Sequence, residues 1–187
     1  MTETIAMADP AAATTYTRLI NLLDTAGARY RLIDHAPEGR AAEASVLRGN
    51  PNSQAAKCIV ARIKLDKRTA RYALAVLPGD RQADLGRLRV LLGGVRAALA
   101  PRDTAEALAG CVIGSIPPFS FHPDLQLIAD PDLLAHAEVF FNAARLDRSV
   151  ALATEDYVAL ARPRIEPIAD AMRGNHGPQH PRANTTG

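Results

Sequence analysis

Tryptophan is absent from this chain of 187 residues, and phenylalanine and tyrosine together supply only 4% of it. That scarcity argues against a single-strand nucleic-acid binder built on stacked aromatic platforms. The two cysteines, Cys58 and Cys111, stand far apart without a CxxC partner, which excludes a disulfide framework and a zinc knuckle and predicts two reduced thiols. No apolar run reaches the roughly 18 residues that a membrane span requires. The first residues, MTETIAMADPAAATT, lack the basic start and apolar stretch of a secretory signal, so the protein is expected in the cytoplasm, with no membrane partner. No Walker-type loop, GxGxxG turn or GxSxG elbow occurs, and His176 and His180 are separated by helix-breaking Gly177 and Pro178, so neither a cofactor nor a metal is expected.

What is present is an ordinary globular composition, 48% hydrophobic and 22% charged, with a formal net charge of +2. It predicts one domain with one sizeable core. The mild positive charge permits a nucleic-acid partner without requiring one. Nineteen of the 22 basic residues are arginine; the lysines are Lys57, Lys64 and Lys67. Residues 1–13 and 163–187 read as flexible tails around a domain at 14–162, because the first is Ala-rich and patternless and the second is rich in Pro, Gly and polar residues.

Within the domain, Leu19, Leu22, Leu23 and Ala26 predict a helix capped by Thr14 or Thr15 and stopped at Gly27. Tyr30 to His35 reads as a strand and Arg40 to Arg48 as an Ala-rich helix. Lys57 to Leu65 and Ala70 to Leu77 form the clearest hairpin. Helices follow from Asp84 to Leu92 and from Thr104 to Ala109. Strands are expected at Leu125 to Ala129, Glu138 to Asn142 and Ser149 to Ala153, and a closing helix at Thr154 to Ala161. Without a regular βαβ rhythm the class is α+β with a mixed sheet.

Period-two alternation places Lys57 on the face shared by Ile59, Ala61 and Ile63. A lysine on a buried face must reach an anion, a polar cleft, or water at the strand end, because an unpaired ammonium is costly in an apolar interior. Cys58 falls on the opposite face and reads as core packing. The second feature is Gly114-Ser115-Ile116-Pro117-Pro118: glycine allows close backbone approach, and the prolines fix the loop so that nearby amides can point at a carbonyl or phosphate oxygen. The same residues also describe a plain turn. His35 lines a pocket or caps the sheet, and His122 lies just beyond the Gly/Pro loop. Arg81, Arg87, Arg89, Arg96 and Arg102 form either a phosphate-binding surface or a solvated face.

In order, the first helix, the strand ending in Asp34-His35, the AAEA helix, Ala56-Lys57, LPGDRQADLGRLRVLLGG and the GSIPPF loop resemble the YbaK/ProX family, from about Tyr16 to Leu160. The resemblance implies an α+β domain with a strongly curved, barrel-like sheet flanked by helices, akin to the editing domain of prolyl-tRNA synthetases. It implies hydrolysis of the ester that joins a wrong amino acid to tRNA. Lys57, Gly114 and Ser115 would be catalytic, with His35, Ile116, Pro117, Pro118 and Asn142 binding substrate. The implied partner is the acceptor end of a mischarged tRNA, not DNA, with docking on a synthetase and the oligomeric state left open. Two departures stand out. Relatives acting on alanyl-tRNA resemble one another in an Asn after the lysine, where this chain has Cys58, and their FHP-like segment is here Phe141-Asn142-Ala143. A non-catalytic tRNA- or nucleotide-binding module of the same fold is the competing reading.

Overall fold

The computed structural model describes residues 14–170. Helix α1 (Thr15–Thr25) starts where the Thr14 hydroxyl accepts the Thr17 N–H, and it buries Leu19 and Leu23. Strand β1 (Tyr30–Asp34) follows, then α2 (Ala41–Arg48), β2 (Ala56–Lys64), β3 (Ala70–Pro78) and α3 (Leu85–Leu91). Next come β4 (Arg96–Leu99), α4 (Arg102–Ala109), β5 (Leu125–Ala129), α5 (Pro131–Leu134), β6 (Glu138–Asn142), β7 (Arg148–Ala153), α6 (Thr154–Ala161) and β8 (Arg164–Ile165). Among these, β4, α5 and β8 escape the sequence patterns, since each is only two to four residues long.

The strands form two sheets, of order β1-β7-β6 and β4-β2-β3-β5-β8. The first is antiparallel throughout, whereas β5 runs parallel to both β3 and β8 in the second. This is the mixed α+β class expected from the pattern. The strongly curved, barrel-like sheet is not present among the described residues: β2 and β6 do not zip together, and a single bridge there, Ala55 to Phe140, joins the two sheets. One bridge cannot propagate a closing ladder.

Both faces of β2 are covered, which is why its sequence carries apolar residues at both parities. Val60 joins the larger core, which gathers residues of both sheets, α1 and α6. Ala61 and Ile63 join a second cluster with Leu88, Leu92 and Ile168. Ile168 lies in the segment read from sequence as a tail. That boundary is corrected for residues 163–170: Ile168 is fully buried, and the buried carboxylate of Asp130 accepts the N–H groups of Ile168 and Ala169 at 2.8 and 2.7 Å. One of its anchors is an acidic residue 38 positions upstream of Ile168, a pairing that no local pattern announces. Residues 1–13 and 171–187, including His176 and His180, lie outside the described residues.

Candidate active site

Lys57 sits one residue into β2, opposite Leu77 of β3. Its ammonium reaches the turn that follows β3, donating to the carbonyl of Gly79 at 3.4 Å and to that of Arg81. Arg81 is itself held by the Asp132 carboxylate at 3.0 Å and by the carbonyl of Asp170, so the C-terminal segment braces the lysine's acceptors. Partial burial pushes the Lys57 ammonium below the ordinary lysine range, and the nearby Asp80 charge opposes that shift.

Beside Lys57 opens a cavity of about 380 Å³. One wall comes from Gly39 and the first turn of α2, another from the start of β2, and a third from Ile113, Gly114, Ile116, Phe141 and Asn142. Lys57, Gly114, Ile116 and Asn142 are thus brought together around one cavity. His35, Ser115, Pro117 and Pro118 are not among its lining residues. Ser115 and both prolines are buried in the protein. Ser115 spends its N–H and its hydroxyl on the Val112 carbonyl, at 3.0 and 2.8 Å, so neither is free to meet a substrate. The N–H groups of Gly114 and Ile116 have no protein acceptor among the described residues.

Gly114 adopts φ +89° and touches Gly39 so closely that an added Cβ would lie 2.8 Å from the Gly39 Cα. Asn142 staples this contact, its amide nitrogen donating to the carbonyls of Glu38 at 2.8 Å and Gly114 at 2.9 Å. Its oxygen accepts from the Ser149 hydroxyl at 2.8 Å. Asn142 is therefore occupied by the protein rather than left to bind a ligand.

Sequence reasoning missed Arg48. It lies one helical turn after buried Ala44, which turns it inward, and it lines the cavity. Its partners are the neutral oxygens of Asn50, Asn142, Ser149 and Ser45, at 3.1 to 3.4 Å. Burial pushes its guanidinium down to about 10, which leaves it charged at neutral pH. An arginine four residues after an alanine on the inner helix face was the available signal. Among the described residues, neither Arg48 nor Lys57 has a carboxylate within 4.0 Å. The cavity thus presents two cations without a directly paired carboxylate among the described residues, Asp80 acting on Lys57 only from a distance.

Cys58 also lines the cavity, but burial pushes its thiol strongly upward, so it stays protonated and packs as expected. His122 accepts the Asp124 N–H and is not a lining residue. In the arginine series after Arg81, Arg87 pairs with Asp84 and Arg102 with Glu106. No group of three or more potential metal ligands occurs among the described residues, and no helix there is long and apolar enough to cross a membrane.

The aminoacyl-tRNA editing domain matches residues 35–160, which carry every wall of this cavity. The chain belongs to the aminoacyl-tRNA editing family. It is 44% identical over 152 residues to the multifunctional Ser/Thr-tRNA deacylase ProXp-y of Escherichia coli K12, covering 81% of this chain and 90% of that protein. The fold is shared with the hypothetical protein APE2540, with a TM-score of 0.72 and 22% identity over 82% of this chain and 99% of that one. It is shared too with a provisionally assigned trans-editing enzyme for prolyl-tRNA synthetase, with a TM-score of 0.70 and 23% identity, over 85% of this chain and 99% of the other.

Proposed function

We infer that this editing-family chain is an aminoacyl-tRNA deacylase that hydrolyses the ester of a mischarged tRNA in trans, with seryl and threonyl esters the first candidates. The observation that carries the reading is the cavity holding Lys57 and Arg48 with no carboxylate paired to either. Such a site favours an anion or an electron-rich oxygen, and a tRNA acceptor end offers phosphodiester, ribose and ester oxygens together. The relative's activity on Ser- and Thr-tRNA supports those substrates.

In the mechanism, Lys57 acts as a point charge on a phosphate or ribose oxygen of the terminal adenosine. The unpaired N–H of Gly114, with that of Ile116, polarises the ester carbonyl and stabilises the oxyanion that forms there. A water molecule attacks the carbonyl carbon, and the bond to the ribose oxygen breaks. That oxygen leaves with a proton, giving a free amino acid and uncharged tRNA. No side-chain nucleophile is required, because positioning and charge stabilisation suffice for an ester. Ser115 is not assigned a role at the reacting atoms, since its donors are spent on Val112. Pro117 and Pro118 shape the loop, and His35 and Asn142 support it.

The test is deacylation of a panel holding seryl-, threonyl-, alanyl-, cysteinyl- and correctly charged tRNAs by wild type and Lys57→Ala. Loss of about 10²-fold or more in the variant, with an unchanged melting temperature, is expected for a preorganised charge contact. Full turnover by Lys57→Ala would remove the proposed role. Absence of hydrolysis across the panel with tRNA binding retained would leave a binding module.

A further inference from the structure

We propose that Asn142 is the positioning group that aims Gly114, and that it is fully engaged only when His35 carries a proton on both ring nitrogens, so that the site is latched by protonation. The kinetic part of this proposal rests on the deacylase reading; the latch itself does not.

The proton positions follow from which partners can only accept. Carbonyl oxygens cannot donate, so the carboxamide nitrogen of Asn142 must face Glu38 and Gly114, at 2.8 and 2.9 Å. Its oxygen then faces the Ser149 hydroxyl at 2.8 Å and takes the only proton that hydroxyl has. Ser149, fully buried, is left with lone pairs toward Arg48 Nη1 at 3.2 Å and His35 Nε2 at 2.7 Å. While the hydroxyl proton stays on Asn142, Nε2 has to donate. On the other side of the ring, Nδ1 lies 2.8 Å from the Ala36 carbonyl, which also only accepts. A neutral imidazole with its one N–H on Nδ1 offers only a lone pair at Nε2, so Nε2 and the Asn142 oxygen then compete for the single Ser149 hydroxyl proton.

If Nε2 gives up its proton, the Ser149 hydroxyl turns to satisfy it and abandons Asn142. The Asn142 oxygen keeps only the longer contact from Arg48, at 3.4 Å. The staple across Glu38 and Gly114 then loosens, and Gly114 is free to move off Gly39. No carboxylate offsets the cation: Asp34 is taken by Arg148, Glu38 by Arg40, and Asp147, whose backbone carbonyl accepts the His35 N–H, by Arg145. From α2, Arg48 opposes the cation across Ser149. The His35 cation is thus held by hydrogen bonds against a like charge, and an anion entering beside Arg48 would favour both the cation and the latch.

The experiment follows the His35 ring nitrogens and the Gly114 amide by nitrogen-15 NMR in the ligand-free protein between about pH 5 and pH 8.5, the span of histidine titration. The Gly114 amide is expected to shift with the same midpoint as the His35 ring, and to stop following it in Ser149→Ala and in His35→Gln. In deacylation, corrected for spontaneous hydrolysis, kcat is expected to fall about tenfold as His35 deprotonates, a partial loss of positioning, with KM little changed, and to become flat in pH in His35→Gln. A Gly114 amide indifferent to His35, or a neutral His35 at every pH, overturns the latch. Because NMR needs no substrate, coupled titration without hydrolysis would reject the deacylase reading alone, and hydrolysis without coupling would reject the latch alone.

Discussion

Replacing Gly114 by alanine tests the geometry of the site most directly, because its two costs can be separated inside the same protein. The first is the backbone: at φ +89° a Cβ is strained wherever it points, by about 1–2 kcal/mol. Gly93, at φ +68° with no heavy atom within 4 Å of an added Cβ, carries that cost alone. The second belongs to Gly114 only: its Cβ would stand 2.8 Å from the Gly39 Cα and 3.0 Å from the Gly39 oxygen. Carbon atoms pack at about 3.5–4.0 Å, so the two backbones must part by roughly 0.7–1.2 Å. The added strain is about 1–3 kcal/mol, as for other overpacked interiors. Gly114→Ala is therefore expected to lose about 2–5 kcal/mol, against about 1–2 for Gly93→Ala. A displacement of that size at the reacting centre costs about 10²-fold in rate. Urea unfolding and single-turnover deacylation of both variants read the two quantities. Equal stability losses, or wild-type turnover in Gly114→Ala, would refute the contact between Gly39 and Gly114 as the element that sets the site.

Asp130→Ala removes the acceptor of the Ile168, Ala169 and Asp132 N–H groups. It is expected to cost about 3–5 kcal/mol in urea unfolding, and to raise KM because Arg81 and Lys57 lose their brace. Tyr157→Phe should raise stability by about 1 kcal/mol, since the tyrosine hydroxyl is buried without a partner among the described residues; a lower melting temperature would reveal an overlooked acceptor. The Arg40 side chain, then its N–H, holds the Glu38 carboxyl down to about 2, below its ordinary 4.5. The folded value is the lower one, so this stabilisation is complete above about 4.5 and fades as pH falls toward 2. Carbon-13 titration should show that midpoint, and Arg40→Ala should return it toward 4.5.

The parity of the first hairpin arm was legible because strand side chains alternate and neighbours along the chain share one ladder. Ile59, Ala61 and Ile63 pack in one cluster, and Cys58 and Val60 in the other. The association of Gly114 with Lys57 was implied by the family resemblance; Gly and Pro chemistry alone marked only a loop able to approach a ligand. The roles within the loop were less visible. Ser115 looked like a donor toward substrate, but the turn to Val112 takes its hydrogens, a matter of dihedral angles that residue type does not set. Asn142 and His35 looked like substrate contacts; the structure makes one a staple and gives the other Ser149 as its partner.

The sequence by itself determined the local elements, the α+β class and the position of the lysine, because caps, glycine stops and alternation act over a few residues. Tertiary structure decided what depends on distant partners: the split into two sheets, the docking of residues 163–170 on Asp130, and the placing of Arg48 in the same cavity as Lys57. The physical reason is that hydrogen bonds and burial are satisfied by whatever the fold brings near. In this protein those partners come from segments as far apart as His35 and Ser149.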